Sequence, residues 1–148
     1  MSDIAKLYPV LARGCGEWTG HYTHLGPDGE FLDTHKVDTF SAFPTDGSAD
    51  FSLRIVNTWE DGRTAEFTMV ADHRDDRLVW RDRVVGWMKE IDDRTVYLNF
   101  TYADDPSVRV CEMIQFSPDG QTRARTWHWF KDDILFKVTL TKEERIKA

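Results

Sequence analysis

Gly16-Glu17-Trp18-Thr19-Gly20-His21-Tyr22-Thr23-His24-Leu25 is the stretch that decides the fold of this chain. From Glu17 onward the pattern has a period of two, and Trp18, Gly20, Tyr22 and His24 share one face, as in a β-strand. What precedes it has a helical period. Ser2 or Asp3 is placed to cap a short helix, and Ile4, Leu7 and Leu11 recur at helical spacing as one apolar stripe. Pro9 limits that helix to one or two turns. Residues 1–15 therefore suit a plug over one end of a barrel spanning 16–141, in a single domain covering 1–148.

The period of two persists downstream. Strands are expected at 17–25, 31–43, 51–59, 64–72, 77–82, 84–91, 95–102, 108–117, 122–131 and 134–141. The segments between them carry turn chemistry: Gly26-Pro27-Asp28-Gly29, Asp61-Gly62, Asp75-Asp76, Asp92-Asp93, Pro118-Asp119-Gly120 and Asp132-Asp133. Short strands with regularly spaced turns and no second long helix predict an all-β fold. Its simplest form is an antiparallel up-and-down barrel, because closure removes exposed edges. A barrel of about eight to ten strands can hold one small ligand.

Composition narrows the partners. A chain of 148 residues, 41% hydrophobic and 13% aromatic, can bury one sizeable core. A formal charge of −7 weighs against nucleic acid and against anionic membrane, both of which need a clustered basic surface. Cys15 and Cys111 have neither metal-ligand spacing nor the number for a disulfide framework, so they read as reduced thiols and the protein as cytoplasmic. No apolar run approaches the ~20 residues that span a bilayer. Met1 to Leu11 carries Asp3 and lacks a basic head, so it does not read as a secretory signal.

Alternation assigns the inward faces. Asp33, His35 and Val37 join Phe31 on the second strand, and Phe51, Leu53, Ile55, Asn57 and Trp59 line the third. Val96, Leu98, Phe100 and Tyr102 line the seventh, and Val108, Val110, Glu112, Ile114 and Phe116 the eighth. On the last strand Ile134, Phe136, Val138 and Leu140 form the apolar set, with Lys137 and Thr139 opposite. The ninth strand has two readings: either Arg123, Arg125, Trp127 and Trp129 point in, or Ala124, Thr126, His128 and Phe130 do.

Gly16-Glu17-Trp18 resembles the opening signature of the lipocalins and the wider calycin group. The resemblance implies that Trp18 closes the barrel floor and that a late-strand basic residue, Arg123 or Arg125, packs across it. Trp18-Thr19-Gly20-His21-Tyr22, Glu112-Met113-Ile114-Gln115 and Arg125-Thr126-Trp127-His128-Trp129-Phe130 look closer to an uncharacterised bacterial calycin-like family. That likeness implies a small-molecule barrel and supplies no activity.

Polar residues on apolar faces are the candidate site, since burying them needs a reason. The leading expectation is a cavity that binds a small hydrophobic or aromatic molecule, lined by Tyr22, His24, Asn57, Trp87, Tyr102, Arg125 and Trp127, with Trp18 and Trp59 in the core. The alternative is a cofactor-independent lyase, isomerase or cyclase. There Glu112, its pKa raised by burial, would work with His128 or His35 as an acid–base pair. Against it stands Glu112 as a structural ion pair with Arg123 or Arg125. A metal set of His24, His35, His128 and Glu112 lacks any His-x-His pair, so neither metal nor cofactor is expected. Cys111 reads as an inert thiol. A third reading makes the barrel surface an assembly face, as in a homodimer or a chromophore-delivery module.

Overall fold

Asp and Gly at most chain reversals adopt the left-handed conformations that tight hairpins require. Asp132 and Asp133 adopt φ of 50° and 66° between the last two strands, as in a mirror-image two-residue turn. In the computed structural model, which describes residues 3–147, ten strands follow from this punctuation. They are β1 (Gly16–Leu25), β2 (Phe31–Ala42), β3 (Phe51–Thr58), β4 (Thr64–Arg74), β5 (Arg77–Arg81), β6 (Val84–Glu90), β7 (Thr95–Tyr102), β8 (Val108–Phe116), β9 (Thr122–Lys131) and β10 (Ile134–Lys147). Each pairs antiparallel with its sequence neighbours, and β1 pairs with β10 to close the barrel.

The plug is a 3-10 turn, Ala5–Leu7, followed by α1, Pro9–Arg13. Ser2 lies outside the described residues, and Asp3 pairs with Lys6 rather than capping. The expected stripe is also corrected. The 3-10 turn ends at Tyr8, and Pro9 starts a new helix in a different phase. Tyr8, Val10 and Leu11 are therefore buried, while Leu7 is 56% exposed. Glu90 Oε2 accepts from the Leu11 amide at 2.8 Å, and the Tyr8 hydroxyl meets His73 Nδ1 at 2.7 Å. These contacts latch the plug to the end of the barrel where β1 begins.

Trp18 is fully buried above the plug and donates from Nε1 to the Gly14 carbonyl at 2.9 Å. Arg123 and Arg145 sandwich its indole, 4.6 and 4.5 Å from ring centroids. The floor role of Trp18 and the role of Arg123 are thus as expected. Arg125 instead lies 5.2 Å from the Tyr22 ring. The ninth strand takes its first reading: Arg123, Arg125 and Trp127 are buried inward, and His128 is exposed.

The last strand corrects the expected face. The β9–β10 register shifts between Leu135 and Lys137, so Phe136 and Leu140 point out, Ile134 stands exposed at the hairpin tip, and Thr139, Thr141 and Glu143 are buried. β10 also runs six residues beyond the expected end at 141, and those residues carry Glu143 into the interior.

Gly20 makes room for that carboxylate. It pairs directly with Glu143, and a Cβ at position 20 would meet the Lys142 carbonyl oxygen and lie 2.8 Å from Glu143 Cγ. Gly20→Ala is expected to cost about 1–3 kcal/mol by overpacking, measured by chemical denaturation. A cost near zero would mean that β10 can slide away from β1.

Candidate functional site

Five hairpins form the end of the barrel opposite the plug, and the inward side chains beneath them meet at a mouth. His24 and Asp33 oppose each other across β1 and β2, and Tyr22 opposes His35. Asp33 Oδ2 accepts from His35 Nδ1 at 2.7 Å and from Trp59 Nε1 at 3.3 Å. His35 Nε2 meets Asn57 Oδ1 at 2.8 Å, and the Trp59 ring stacks on His35 with centroids 4.2 Å apart. On the other flank His24 Nδ1 and Trp129 Nε1 share Thr139 Oγ1, at 2.7 and 2.9 Å. Lys137 Nζ sits 4.1 Å over the Trp129 ring. Trp127 stacks on Trp129 and meets Tyr22 edge-on, at centroid distances of 5.5 Å in both cases.

Burial sets the charges of these groups. It pulls the His24 imidazole down to about 4, helped by Lys137 and His35, so His24 is neutral at neutral pH. Partial burial works to raise the Asp33 carboxyl, yet the hydrogen bonds from His35 and Trp59 hold it below its ordinary value. Three exposed apolar side chains flank the polar hairpin turns around the mouth: Phe31, Leu32 and Ile134 are 64%, 51% and 70% exposed. Trp127 Nε1 and Thr141 Oγ1 are buried with no hydrogen-bond partner among the described residues.

Below the mouth the interior is filled by an ionic cluster. Glu143 Oε1 accepts from Arg123 Nε at 2.8 Å and Arg125 Nε at 2.6 Å. Arg125 Nη1 reaches Glu112 Oε2 at 3.2 Å, Arg125 Nη2 reaches the Tyr22 hydroxyl at 2.9 Å, and Arg123 Nη2 reaches Thr39 Oγ1 at 2.6 Å. Burial raises the Glu112 carboxyl to about 7 against the pull of both arginines. The same arginines overcome burial at Glu143 and hold it near 2. A void beside this cluster, lined by Leu53, Leu98, Ile114 and Arg125 among others, measures only about 20 Å³. That is room for about one water molecule, not for an organic ligand.

The sequence-predicted residues thus separate. Tyr22, His24, His35, Asn57 and Trp127 gather at or just below the mouth. Arg125 belongs to the ionic cluster with Glu112. His128 is exposed on the outer face, across the β8–β9 pair from Cys111, and is not a partner for Glu112. Trp87 also faces out, packed at a tilt against Tyr97 and covered by Arg77. Tyr102 lines a separate groove with Asp82, Arg83 and Asp104. Trp59, expected in the core, stands half-buried at the mouth.

Asp33, Trp129, Lys137 and Glu143 were missed. Asp33 carried a signal, as a carboxylate between His24 and His35 on the same predicted faces. The bulge in β10 hid Lys137 and Thr139. A cleft of about 750 Å³ lies instead at the plugged end among Arg13, Asp93, Phe116 and Arg145. Its arginines already donate to carbonyls of Asp93, Gly120, Cys15 and Arg13, so it offers fewer groups to a ligand than the mouth.

These features define a closed ten-stranded calycin-like barrel, plugged and charged within, with an aromatic, histidine-bearing mouth. No protein-family model and no curated protein matches the sequence. Solved structures do share the fold. A protein of unknown function from the DUF3598 family of Nostoc punctiforme superposes with a TM-score of 0.70 at 17% identity over 92% of this chain. The match covers 49% of that protein, so this chain spans about half its length. An S-type phycobiliprotein lyase from Guillardia theta gives a TM-score of 0.70 at 16% identity, covering 100% of this chain and 94% of its own. At such identities the likeness is one of fold.

Proposed function

We propose that the barrel mouth binds a small, flat, hydrophobic or aromatic molecule. The observation that carries this reading is the aromatic wall of Trp59, Trp127, Trp129 and Tyr22, with the buried Trp127 Nε1–H lacking an acceptor. An unpaired buried donor costs about 1–3 kcal/mol, and a ligand acceptor that met it would recover part of that cost. The exposed apolar side chains of Phe31, Leu32 and Ile134 extend the wall outward and would cover a ligand's outer edge. One protein of the same fold is a phycobiliprotein lyase, a likeness that supports a barrel ligand without naming it. The acid–base alternative is weaker, because Glu112 is held by Arg125 and His128 points away from it.

Titration of intrinsic tryptophan fluorescence with a panel of flat aromatic compounds and fatty acids tests the reading. Saturable quenching by an aromatic member is expected. Trp59→Ala and Trp129→Ala should each weaken it by about tenfold, on the order of the 1–1.5 kcal/mol that an aromatic contact contributes. Trp87→Ala on the outer face should not change it. No saturable quenching by any class, or equal affinity in all three variants, removes the mouth as the site.

A further inference from the structure

We propose that His24, Asp33 and His35 form a binding site for a divalent transition-metal ion of the zinc or copper type. This goes beyond the binding of an organic molecule and does not depend on it. The three side chains come from adjacent strands: His24 lies directly opposite Asp33, and His35 is two residues further along the same inward face. One ligating atom of each lies within 4.8 Å of the other two. Donors sharing one zinc ion at about 2 Å stand about 3.3 Å apart, so rotamer adjustments of up to about 1.5 Å complete the set. His35 Nδ1 and Asp33 Oδ2, at 2.7 Å, already share a proton that the metal would displace to solvent.

Two imidazoles and one carboxylate select borderline ions over calcium or magnesium, which take oxygen ligands. The outer layer is in place as well. Asn57 Oδ1 holds His35 Nε2, leaving Nδ1 for the metal, and Thr139 Oγ1 can accept from His24 Nδ1–H, leaving Nε2. Trp59 Nε1 orients the Asp33 carboxylate. The Asp33 side chain is 38% exposed, so an ion can enter from solvent and keep an open coordination position. Lys137 opposes it: its ammonium lies over Trp129, which shares Thr139 Oγ1 with His24.

The set differs from the one weighed on sequence, in which His128 and Glu112 completed the ligands. Those two face away or are tied to Arg125.

The test is calorimetric and fluorescence titration of untagged, chelator-stripped protein with Zn²⁺ and Cu²⁺ alone, with thermal melts confirming that each variant is folded. One equivalent of each metal should bind, and Cu²⁺ should quench tryptophan emission through Trp59, which stacks on His35. His24→Ala and Asp33→Asn should each weaken binding by about a hundredfold or more, at the upper end of what outer-layer changes cost. His21→Ala and His128→Ala should leave it unchanged. Lys137→Met, which removes a nearby positive charge and no ligand, should tighten it several-fold. Absence of one-to-one uptake of either metal overturns the proposal. So does uptake that survives His24→Ala and Asp33→Asn, or that ignores Lys137→Met. None of these outcomes depends on whether an organic ligand binds, because no such ligand is present.

Discussion

Glu143→Gln is expected to lose about 3–5 kcal/mol of unfolding free energy, the cost of breaking a buried ion pair from one side. The substitution keeps the shape and removes the charge that both Arg123 and Arg125 face. Guanidinium groups cannot shed their charge to escape burial. With Glu143 neutralised, two cations remain inside the barrel with Glu112 as their nearby carboxylate. Domains of this kind are stable by only about 5–15 kcal/mol, so the loss should be plain in a denaturant melt. Replacing Glu112, Arg123, Arg125 and Glu143 together with apolar residues of similar volume should cost less than Glu143→Gln alone. A change under about 1 kcal/mol for Glu143→Gln would show that the arginines find other acceptors.

The second large effect is a pair of opposed pH dependences. Between pH 4.5 and 7 the folded protein holds a proton on Glu112 that the unfolded chain has released. Its contribution to stability is therefore fully present below 4.5 and lost as pH rises through 7. His24 runs the other way. Between 6.5 and about 4 the unfolded chain holds a proton that the folded imidazole lacks, so its contribution is present above 6.5 and lost as pH falls. Over their shared interval the two slopes offset each other. Glu112→Gln should make stability rise with pH there, and His24→Asn should make it fall. The difference between wild type and Glu112→Gln should span up to about 3 kcal/mol across the interval. Urea melts at a series of pH values measure it, and parallel curves for wild type and Glu112→Gln would rule out titration of Glu112 in this range.

All ten strands were legible because their signals are local. Alternation of side chains and Asp or Gly at the reversals are properties of a few consecutive residues, and ends deviated by only a residue or two except at β10. There Thr141-Lys142-Glu143-Glu144-Arg145 reads as a polar tail. It becomes strand because β1 offers an edge and Gly20 a space. The single-residue shift at Leu135–Lys137 then reverses the face of all that follows, which alternation counted from Ile134 cannot foresee. The apolar stripe of the plug was misassigned for a similar reason, since Pro9 restarts the helix out of phase with Ile4 and Leu7.

The mouth was half legible. His24 and His35 were placed inward by parity, whereas Trp59 looked like core, and Lys137 and Trp129 were assigned to the outside or left open. By itself the sequence determined an antiparallel barrel and its turns, because these follow from period and punctuation, while the floor position of Trp18 followed from the resemblance of Gly16-Glu17-Trp18 to the lipocalin opening. Only the tertiary structure decided that Glu143 joins the expected Glu112 in neutralising the arginines, and that Asp33 rather than Glu112 joins His24 and His35. The physical reason is that the energy of a buried charge depends on partners brought from strands far apart in the chain, and one bulge determines which of them arrive.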